Sequence, residues 1–292
     1  MRSHAILLRI MKVWGRASFK RRIFSMNENT NNQEHEITRV VEPEVIKMGV
    51  VSRVLNIFIS PVELMHNIKA YPVFLVPFLL SVVIALAGIG PSRHVTEMMN
   101  EEIAFISIER FGFDMTMTQT FDEYGDFPVE EMVSTVEIVM VVAMAFINPL
   151  LISFFGTLGV FILSKILRGR ATFGQTFSMY MHLYVILALG AVVSMFLMSM
   201  TGSIVDMTSL AAIVMPGGRI DDIVFNILSA IAVFPIWSTV LLFFGVKVIN
   251  EFSTAKSAII ACISYAVSIL ISAGTVMVTF MFMEMGANAM QM

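Results

Sequence analysis

The stretch SKILRGRATFGQTF, residues 164–177, lies between two runs of residues that are almost entirely apolar. Lys165, Arg168 and Arg170 fall close together in it, and no acid lies near them. A helix needs about 20 mostly apolar residues to cross about 30 Å of hydrocarbon, and both flanking runs are long enough. Because Lys and Arg near the ends of spans stay on the cytoplasmic side, the cluster predicts a cytoplasmic turn between two membrane spans.

The composition of the whole chain also favours the membrane class. The 292 residues are 57% hydrophobic and only 14% charged, whereas a soluble domain usually carries about 25% charged residues. The mean hydropathy is +0.81. The one cysteine, Cys262, allows neither an intramolecular disulfide nor a cysteine-based metal cluster. We expect it to be a buried packing residue.

Five apolar runs predict five membrane-spanning helices. A long polar external loop, residues 91–137, separates the first two runs, and short connections join the others as antiparallel neighbours. We expect helical pieces within the external loop. The predicted spans are residues 72–90, 138–163, 177–200, 223–247 and 257–282.

Several polar or helix-breaking residues fall inside these spans. Asn148-Pro149 and Pro235 are expected to kink the second and fourth spans. The Asn148 amide is expected to bond carbonyls that the proline frees, and ligand coordination is the alternative. His182 is expected to be a hydrogen-bonded histidine, with proton relay or partner binding as alternatives. Trp237 is expected to pack inward, because its indole N–H needs an acceptor.

The chain divides into two predicted parts. Residues 1–43 form a basic and then polar cytoplasmic tail, expected to be disordered or bound to a membrane surface. A transit peptide, or translation that starts at Met26, are the alternatives for its first part. Residues 44–292 form the membrane domain, which begins with amphipathic interfacial helices. Ser60-Pro61 predicts a helix N-cap followed by proline in the first turn.

The distribution of charge predicts the orientation of the spans. Sixteen of the 19 Lys and Arg residues lie in the N-terminal part, the 164–176 turn and the 247–256 turn. Of the 22 acids, 15 lie on the opposite side. The N-terminus is therefore expected to be cytoplasmic and the C-terminus outside or lumenal. The predicted fold class is an all-α integral membrane protein with five transmembrane helices and an N-terminal interfacial amphipathic helix.

Three stretches together resemble the YIP (Ypt-interacting protein) family of five-span membrane proteins, and chiefly its prokaryotic members. They are SPVELMHNIKAYPVFLVPFLLSVV (60–83), LSKILRGRATFGQTFSMYMHLYVILALG (163–190) and FPIWSTVLLFFGVKVINEFSTAKSAIIACISYAV (234–267). The resemblance covers about residues 60–283. The candidate structural or family-motif residues are Pro61, Asn148, Pro149, Gly169, Phe173, His182, Pro235 and Trp237.

The resemblance implies a non-enzymatic membrane scaffold that organises lipids or partner proteins. Eukaryotic members of the family lie in Golgi and ER membranes, associate with prenylated Rab-type GTPases and act in vesicle formation. Prokaryotic relatives would lie in the plasma membrane, and some are linked to export or stress systems. The alternative function is therefore an accessory membrane subunit of a transporter or export system. Homo- or hetero-oligomers with other membrane proteins are expected partners.

The residues themselves favour no catalytic chemistry. The five histidines show no HExxH or other paired-ligand spacing, so an intramembrane enzyme is the disfavoured alternative. Asp221-Asp222 is interpreted as a solvated loop end rather than a metal site. Methionines at Met-x-Met spacing would suit Cu(I), but gap filling in apolar interiors is the preferred interpretation. We expect no cofactor, no resident metal and no nucleic-acid partner.

The basic turn has a second predicted role besides orientation. Lys165, Arg168 and Arg170 are expected to join the basic N-terminus, Lys247 and Lys256 in a basic cytoplasmic collar. Such a collar would bind anionic lipid headgroups or an acidic partner.

Overall fold

This computed structural model describes the backbone of residues 47–111 and 129–290, and the side chains of residues 47–110 and 139–286. The predicted tail, residues 1–43, and part of the predicted external loop lie outside these ranges. The helices of the described residues are α1 (Val50–Ile59), α2 (Pro61–Ala70), α3 (Leu75–Ala87), α4 (Ile89–Phe111), α5 (Val129–Ile166), α6 (Phe173–Thr201), α7 (Ala211–Val214), α8 (Ile223–Ala230), α9 (Val233–Asn250) and α10 (Thr254–Met290).

Helix α6 is the centre of the bundle, because it packs against α2, α3, α4, α5 and α9. Its Met179, Leu183 and Ile186 are almost completely buried. They form one core with Leu241 and Ile249 of α9. α9 also packs against α2 and α10, so α6 and α9 together connect the elements at the start of the chain to the last helix.

α6 and α9 approach each other closely where α6 carries Gly190. A Cβ built on Gly190 would lie 2.5 Å from both Cβ and Cγ of Phe234. Small residues allow such close approach between helices in a membrane, where packing rather than hydrophobicity holds helices together. Gly159 of α5 is different, since a Cβ there would meet nothing within 4 Å.

The two short helices before the first span follow the predicted amphipathic pattern. Pro61 is the first residue of α2 and Ser60 is its N-cap residue. Leu64, Met65 and Ile68 are buried and belong to the main core. The apolar face of α2 therefore packs on the bundle.

The prediction of one continuous helix over residues 72–90 is wrong. The chain forms α3, of 13 residues, and then α4, with a bend of 57° between them. At 1.5 Å per residue, α3 is about 20 Å long and too short to cross the hydrocarbon alone. The bend lies at Gly88, and Pro91 lies in the first turn of α4. Proline is tolerated in that position, so a new helix starts there. The predicted helical piece in the external loop is confirmed by α4.

The prediction of one helix over residues 223–247 is also wrong, since α8 and α9 are separate. The break is held by backbone hydrogen bonds from the connection after α6. Leu210 N–H donates to the Ile231 carbonyl at 2.8 Å, and Val233 N–H donates to the Thr208 carbonyl at 3.1 Å. The peptide groups at the break are thus paired with another segment of the chain, as burial requires.

This break corrects two further predictions. Pro235 lies in the first turn of α9, which starts at Val233, so it does not kink a span. Trp237 is two residues further along and 37% exposed; it faces outward instead of packing inward. An indole near the end of a span suits the membrane–water interface. Cys262 is exposed as well, so the expectation of a buried packing cysteine is wrong.

The other three predicted spans agree with long apolar helices. Residues 138–163, 177–200 and 257–282 lie within α5, α6 and α10. α5 continues through Pro149 as one helix. By length and hydropathy, four helices of the described residues can cross a membrane, and the bent pair α3–α4 is a fifth if it counts as one span.

The contact at Gly190 generates a test of the packing. Gly190→Ala should destabilise the protein by about 1–3 kcal/mol, because the added methyl collides with Phe234. Gly159→Ala is the matched control, with no loss and a gain of up to about 1 kcal/mol from helix propensity. Thermal unfolding in detergent, followed by size-exclusion chromatography, measures both. Equal melting temperatures for the two variants would contradict this packing.

Candidate functional site

The basic turn, residues 164–177, ends α5 with a hydrogen-bonded helix cap. Gly169 N–H donates to the Ser164 carbonyl at 2.7 Å, and Arg168 N–H donates to the Lys165 carbonyl at 3.0 Å. These are the two bonds of a Schellman motif, which places Arg168 at the left-handed position that glycine usually occupies. Arg168 accordingly has a φ of 64°, which costs a residue with a Cβ about 1 kcal/mol.

Gly169 itself is required by a close approach to a second turn, residues 247–256. A Cβ on Gly169 would collide with the Asn250 side chain and lie 2.8 Å from Cζ of Phe252. Asn250 is 4% exposed, and its Oδ1 accepts the Ala171 N–H at 3.2 Å. Its Nδ2 lies 3.5 Å from Ser164 Oγ. The two turns are therefore fastened together through one buried amide.

A carboxylate in the second turn joins three separate segments of the chain. Glu251 follows α9 with a φ of 57°. Lys69 Nζ of α2 lies 2.6 Å from its Oε1, and Arg170 Nη1 lies 2.6 Å from its Oε2. The hydrogen bond from Lys69, and then the two positive charges, hold the pKa of Glu251 below its usual value.

Three of the five predicted collar residues bond to oxygen atoms of the two turns. Lys165 Nζ donates to the Ala171 carbonyl at 2.9 Å, and Lys256 Nζ donates to the Leu167 carbonyl at 3.1 Å. Lys247 Nζ donates to Thr254 Oγ1 at 3.1 Å. Leu167 directly follows α5, and a positive charge close to a carbonyl at a helix C-terminus is favourable, because that carbonyl carries partial negative charge. The structure therefore brings these five residues together, and it gives the three lysines a role in holding the turns.

Arg168 is different from its neighbours. Its side chain is exposed, and it makes no hydrogen bond or ion pair with any residue that the structure describes. Arg170, the fifth collar residue, is paired with Glu251. Of the five cations, Arg168 is thus the one whose N–H donors have no hydrogen-bond partner within the described part of the chain.

The start of α6 completes this end of the bundle. Thr172 and Gln175 form a capping box, and Gln175 Nε2 donates to the Lys69 carbonyl at 2.7 Å. The ring of Phe173 packs edge-on against Phe154 and Phe161 at centroid distances of 6.0 and 5.6 Å. Phe173 therefore connects α6 to α5 by aromatic packing.

His182 is confirmed as a hydrogen-bonded histidine. It is 2% exposed, and its Nδ1–H donates to the Ser178 carbonyl at 2.7 Å, since a carbonyl oxygen can only accept. Ser178 Oγ in turn donates to the Val73 carbonyl at 2.8 Å. The pair connects α6 to the segment that leads into α3.

The expectation for Asn148 is wrong. Its side chain makes no hydrogen bond with any described residue; instead it lines a cavity with Tyr184. The carbonyls that Pro149 leaves without an amide partner are one helical turn N-terminal to it. The exposed Asn148 amide makes no hydrogen bond with them.

The opposite end of the bundle carries paired charges around an open cavity of about 660 Å³. Arg110 lies 2.6 Å from Asp221, and Arg219 lies 2.7 Å from Glu109. Asp222 caps α8, and its Oδ1 accepts the Val224 N–H at 2.7 Å. Asp221 is thus an ion-pair residue rather than a solvated loop end. Across the described ranges, no group of three or more His, Cys, Asp and Glu is placed to hold a metal ion.

We call the end of the bundle that carries the two turns, residues 164–177 and 247–256, the basic end. Three residues of this end were not predicted from the sequence: Arg53, Asn250 and Glu251. Arg53 is 3% exposed; its Nη1 donates to the Tyr71 carbonyl at 3.1 Å, and burial lowers its pKa. One signal for Glu251 was present, since it is the single acid between Lys247 and Lys256. Nothing in the order of residues indicated which cation it would meet.

Comparison with known proteins gives one match. A family model described as the Yip1 domain matches residues 55–276, more than half of the chain. No curated protein and no solved structure matches the chain.

The ion pairs of Glu251 predict a pH dependence. Because its folded-state pKa lies below the usual 4.5, the carboxylate adds stability above that value and loses it as the pH falls through the lowered pKa. The melting temperature in detergent should therefore fall below about pH 4.5, and less so in Glu251→Gln.

The control for this experiment is Glu63→Gln, since Glu63 is exposed and contacts no described residue. That variant should keep the wild-type pH profile. A wild-type profile in Glu251→Gln would contradict the assignment of the ion pairs.

Proposed function

Because the chain belongs to the Yip1 domain family, we propose that it is a non-enzymatic, five-span membrane scaffold whose basic end binds anionic lipid headgroups. The family match and the apolar helices make it an integral, multi-pass membrane protein. Headgroup binding is inferred mainly from Arg168, which has a left-handed backbone and no hydrogen-bond or ion-pair partner among the described residues.

The number of membrane crossings between residues on the same side must be even, and this supports five crossings rather than four. Lys69 and Arg170 both contact Glu251, so these three residues lie on one side of the membrane. An even number of crossings must then separate Lys69 from Arg170. α5 is one of them, and the bent pair α3–α4 supplies the other.

Charge supports a cytoplasmic location for this end. It carries most of the lysine and arginine residues of the described ranges, and short loops rich in these residues stay on the cytoplasmic side. The N-terminus is then cytoplasmic and the C-terminus is outside or lumenal. The membrane would be the plasma membrane in a prokaryote and a Golgi or ER membrane in a eukaryote.

Arg168 supports contact with anionic headgroups. Glycine would form the same Schellman turn without the steric cost of a Cβ, so the arginine is kept at a position that is unfavourable for folding. Residues held in such conformations cluster at functional sites. The neighbouring cations already bond to the two turns, and Arg168 alone of the five has a free guanidinium within the described residues. A guanidinium suits a phosphate group, because its fork of N–H donors matches the phosphate oxygens.

A scaffold of this kind works by holding lipids in place at a rigid turn. The two turns are locked by Asn250 and Glu251, so Arg168 is presented at a fixed distance from the ends of α5 and α6. Self-association, or association with other membrane proteins, is part of the same proposal.

Two substitutions at one position separate lipid binding from folding. Arg168→Gln should reduce co-purified phosphatidylglycerol about fivefold, since one cation near an anionic surface contributes about 1 kcal/mol. Arg168→Gly should lose the lipid equally, yet it should raise the melting temperature, because glycine has no Cβ to strain. Native mass spectrometry after reconstitution in mixed phosphatidylglycerol and phosphatidylcholine measures the bound lipid.

The control is Arg93→Gln, which removes another exposed arginine that contacts no described residue. Arg93 lies near acids of α4, so its removal should leave the bound anionic lipid unchanged. Equal lipid loss from Arg93→Gln, or wild-type lipid in Arg168→Gln, would contradict the proposal.

A further inference from the structure

The bend between α3 and α4 opens a cavity of about 350 Å³. The wall of the cavity is formed by α3, α4, α5 and α6, with Gly88 at the bend itself. Interrupted helices inside membrane proteins occur where the irregular backbone is buried in protein or lines a cavity, and they mark binding sites in many transporters. The bend and the cavity therefore lie at the same place in the bundle.

Two polar groups in this cavity have no partner in the described part of the chain. They are the amide of Asn148 and the hydroxyl of Tyr184. The third polar side chain, Ser92, donates to its own helix at the Ile89 carbonyl, 2.8 Å away. An amide in hydrocarbon without a hydrogen-bond partner is costly by several kcal/mol. A bound group that accepts and donates hydrogen bonds would remove that cost.

The cavity lies at the depth of the hydrocarbon. Tyr184 is 11 residues after the start of α6 at Phe173, which corresponds to about 16 Å along the helix axis. That distance places its ring near the middle of a hydrocarbon layer about 30 Å thick. A ligand there must enter from the lipid phase.

The lining defines the chemistry of the ligand. None of the described side chains that border the cavity is charged, and its remaining walls are methionine, alanine, valine and isoleucine. A charged headgroup would therefore be unpaired in a low dielectric, which is strongly unfavourable. The volume lies near the lower end of the range for small-ligand pockets, which suits one hydrocarbon chain better than two.

We propose that this cavity binds a neutral single-chain amphiphile from the membrane, with its hydroxyl or carbonyl group hydrogen-bonded to Asn148 and Tyr184. Methionine and alanine contact the hydrocarbon chain. The site is separate from the basic end and does not depend on headgroup binding at Arg168.

The test uses the full-length protein reconstituted in phosphatidylcholine with a photoreactive monoacylglycerol. Ultraviolet crosslinking should label the peptides that carry Asn148 and Tyr184. Asn148→Leu should reduce this labelling about fivefold, as expected for one lost hydrogen bond. Ala191→Phe should reduce it further, since Ala191 is an exposed residue of the lining and the new ring fills the opening.

Matched controls are Ser272→Leu and Ala266→Phe, at exposed positions of α10 away from the cavity. Both should retain wild-type labelling. Variants are compared only when they elute as the wild type in size exclusion, and Asn148→Leu remains decisive if Ala191→Phe does not fold.

Three outcomes would overturn the inference. The first is labelling spread over all the lipid-facing helices. The second is wild-type labelling in Asn148→Leu, which would leave water as the partner of the amide. The third is equal labelling by a photoreactive lysophosphatidic acid, which would exclude selection for a neutral headgroup.

Discussion

The double ion pair of Glu251 is the interaction on which the arrangement of this protein depends. It joins Lys69 of α2 to Arg170, between α5 and α6, at a turn that follows α9. In a membrane, these contacts would place the three segments on one side. The five-span proposal depends on this, because the bent pair α3–α4 then has to supply a crossing that α3 alone is too short to make.

The cations of the basic end have different roles. Lys256 bonds to the Leu167 carbonyl at the end of α5, and Lys165 bonds to the Ala171 carbonyl in the turn that follows, so both side chains support the fold. Both described non-glycine residues with a left-handed backbone, Arg168 and Glu251, lie here. Glu251 uses its side chain to hold the turns together. Arg168 has no such role within the described residues, and that contrast is the reason for the proposal that it binds headgroups.

Hydropathy correctly predicted the helical class and three of the five spans, because a long apolar run is a property of one stretch of sequence. Charge predicted which cations lie together, because they cluster in two short turns. The two breaks were missed for a physical reason. A hydropathy window averages over about 19 residues, so it cannot detect peptide groups at residues 231–232 that bond to a distant segment. The outward position of Trp237 follows from that break. The roles of Asn250 and Glu251 depend on contacts between distant segments.

Labelling of single cysteines by a membrane-impermeant maleimide in intact cells tests the central account most directly. In a Cys262→Ser background, Gly49→Cys and Thr172→Cys should react only after permeabilisation, whereas Gly217→Cys and Met285→Cys should react at once. That result gives five crossings with the basic end inside. If Gly49→Cys and Thr172→Cys lie on opposite sides, the ion pairs of Glu251 cannot form and the account is wrong.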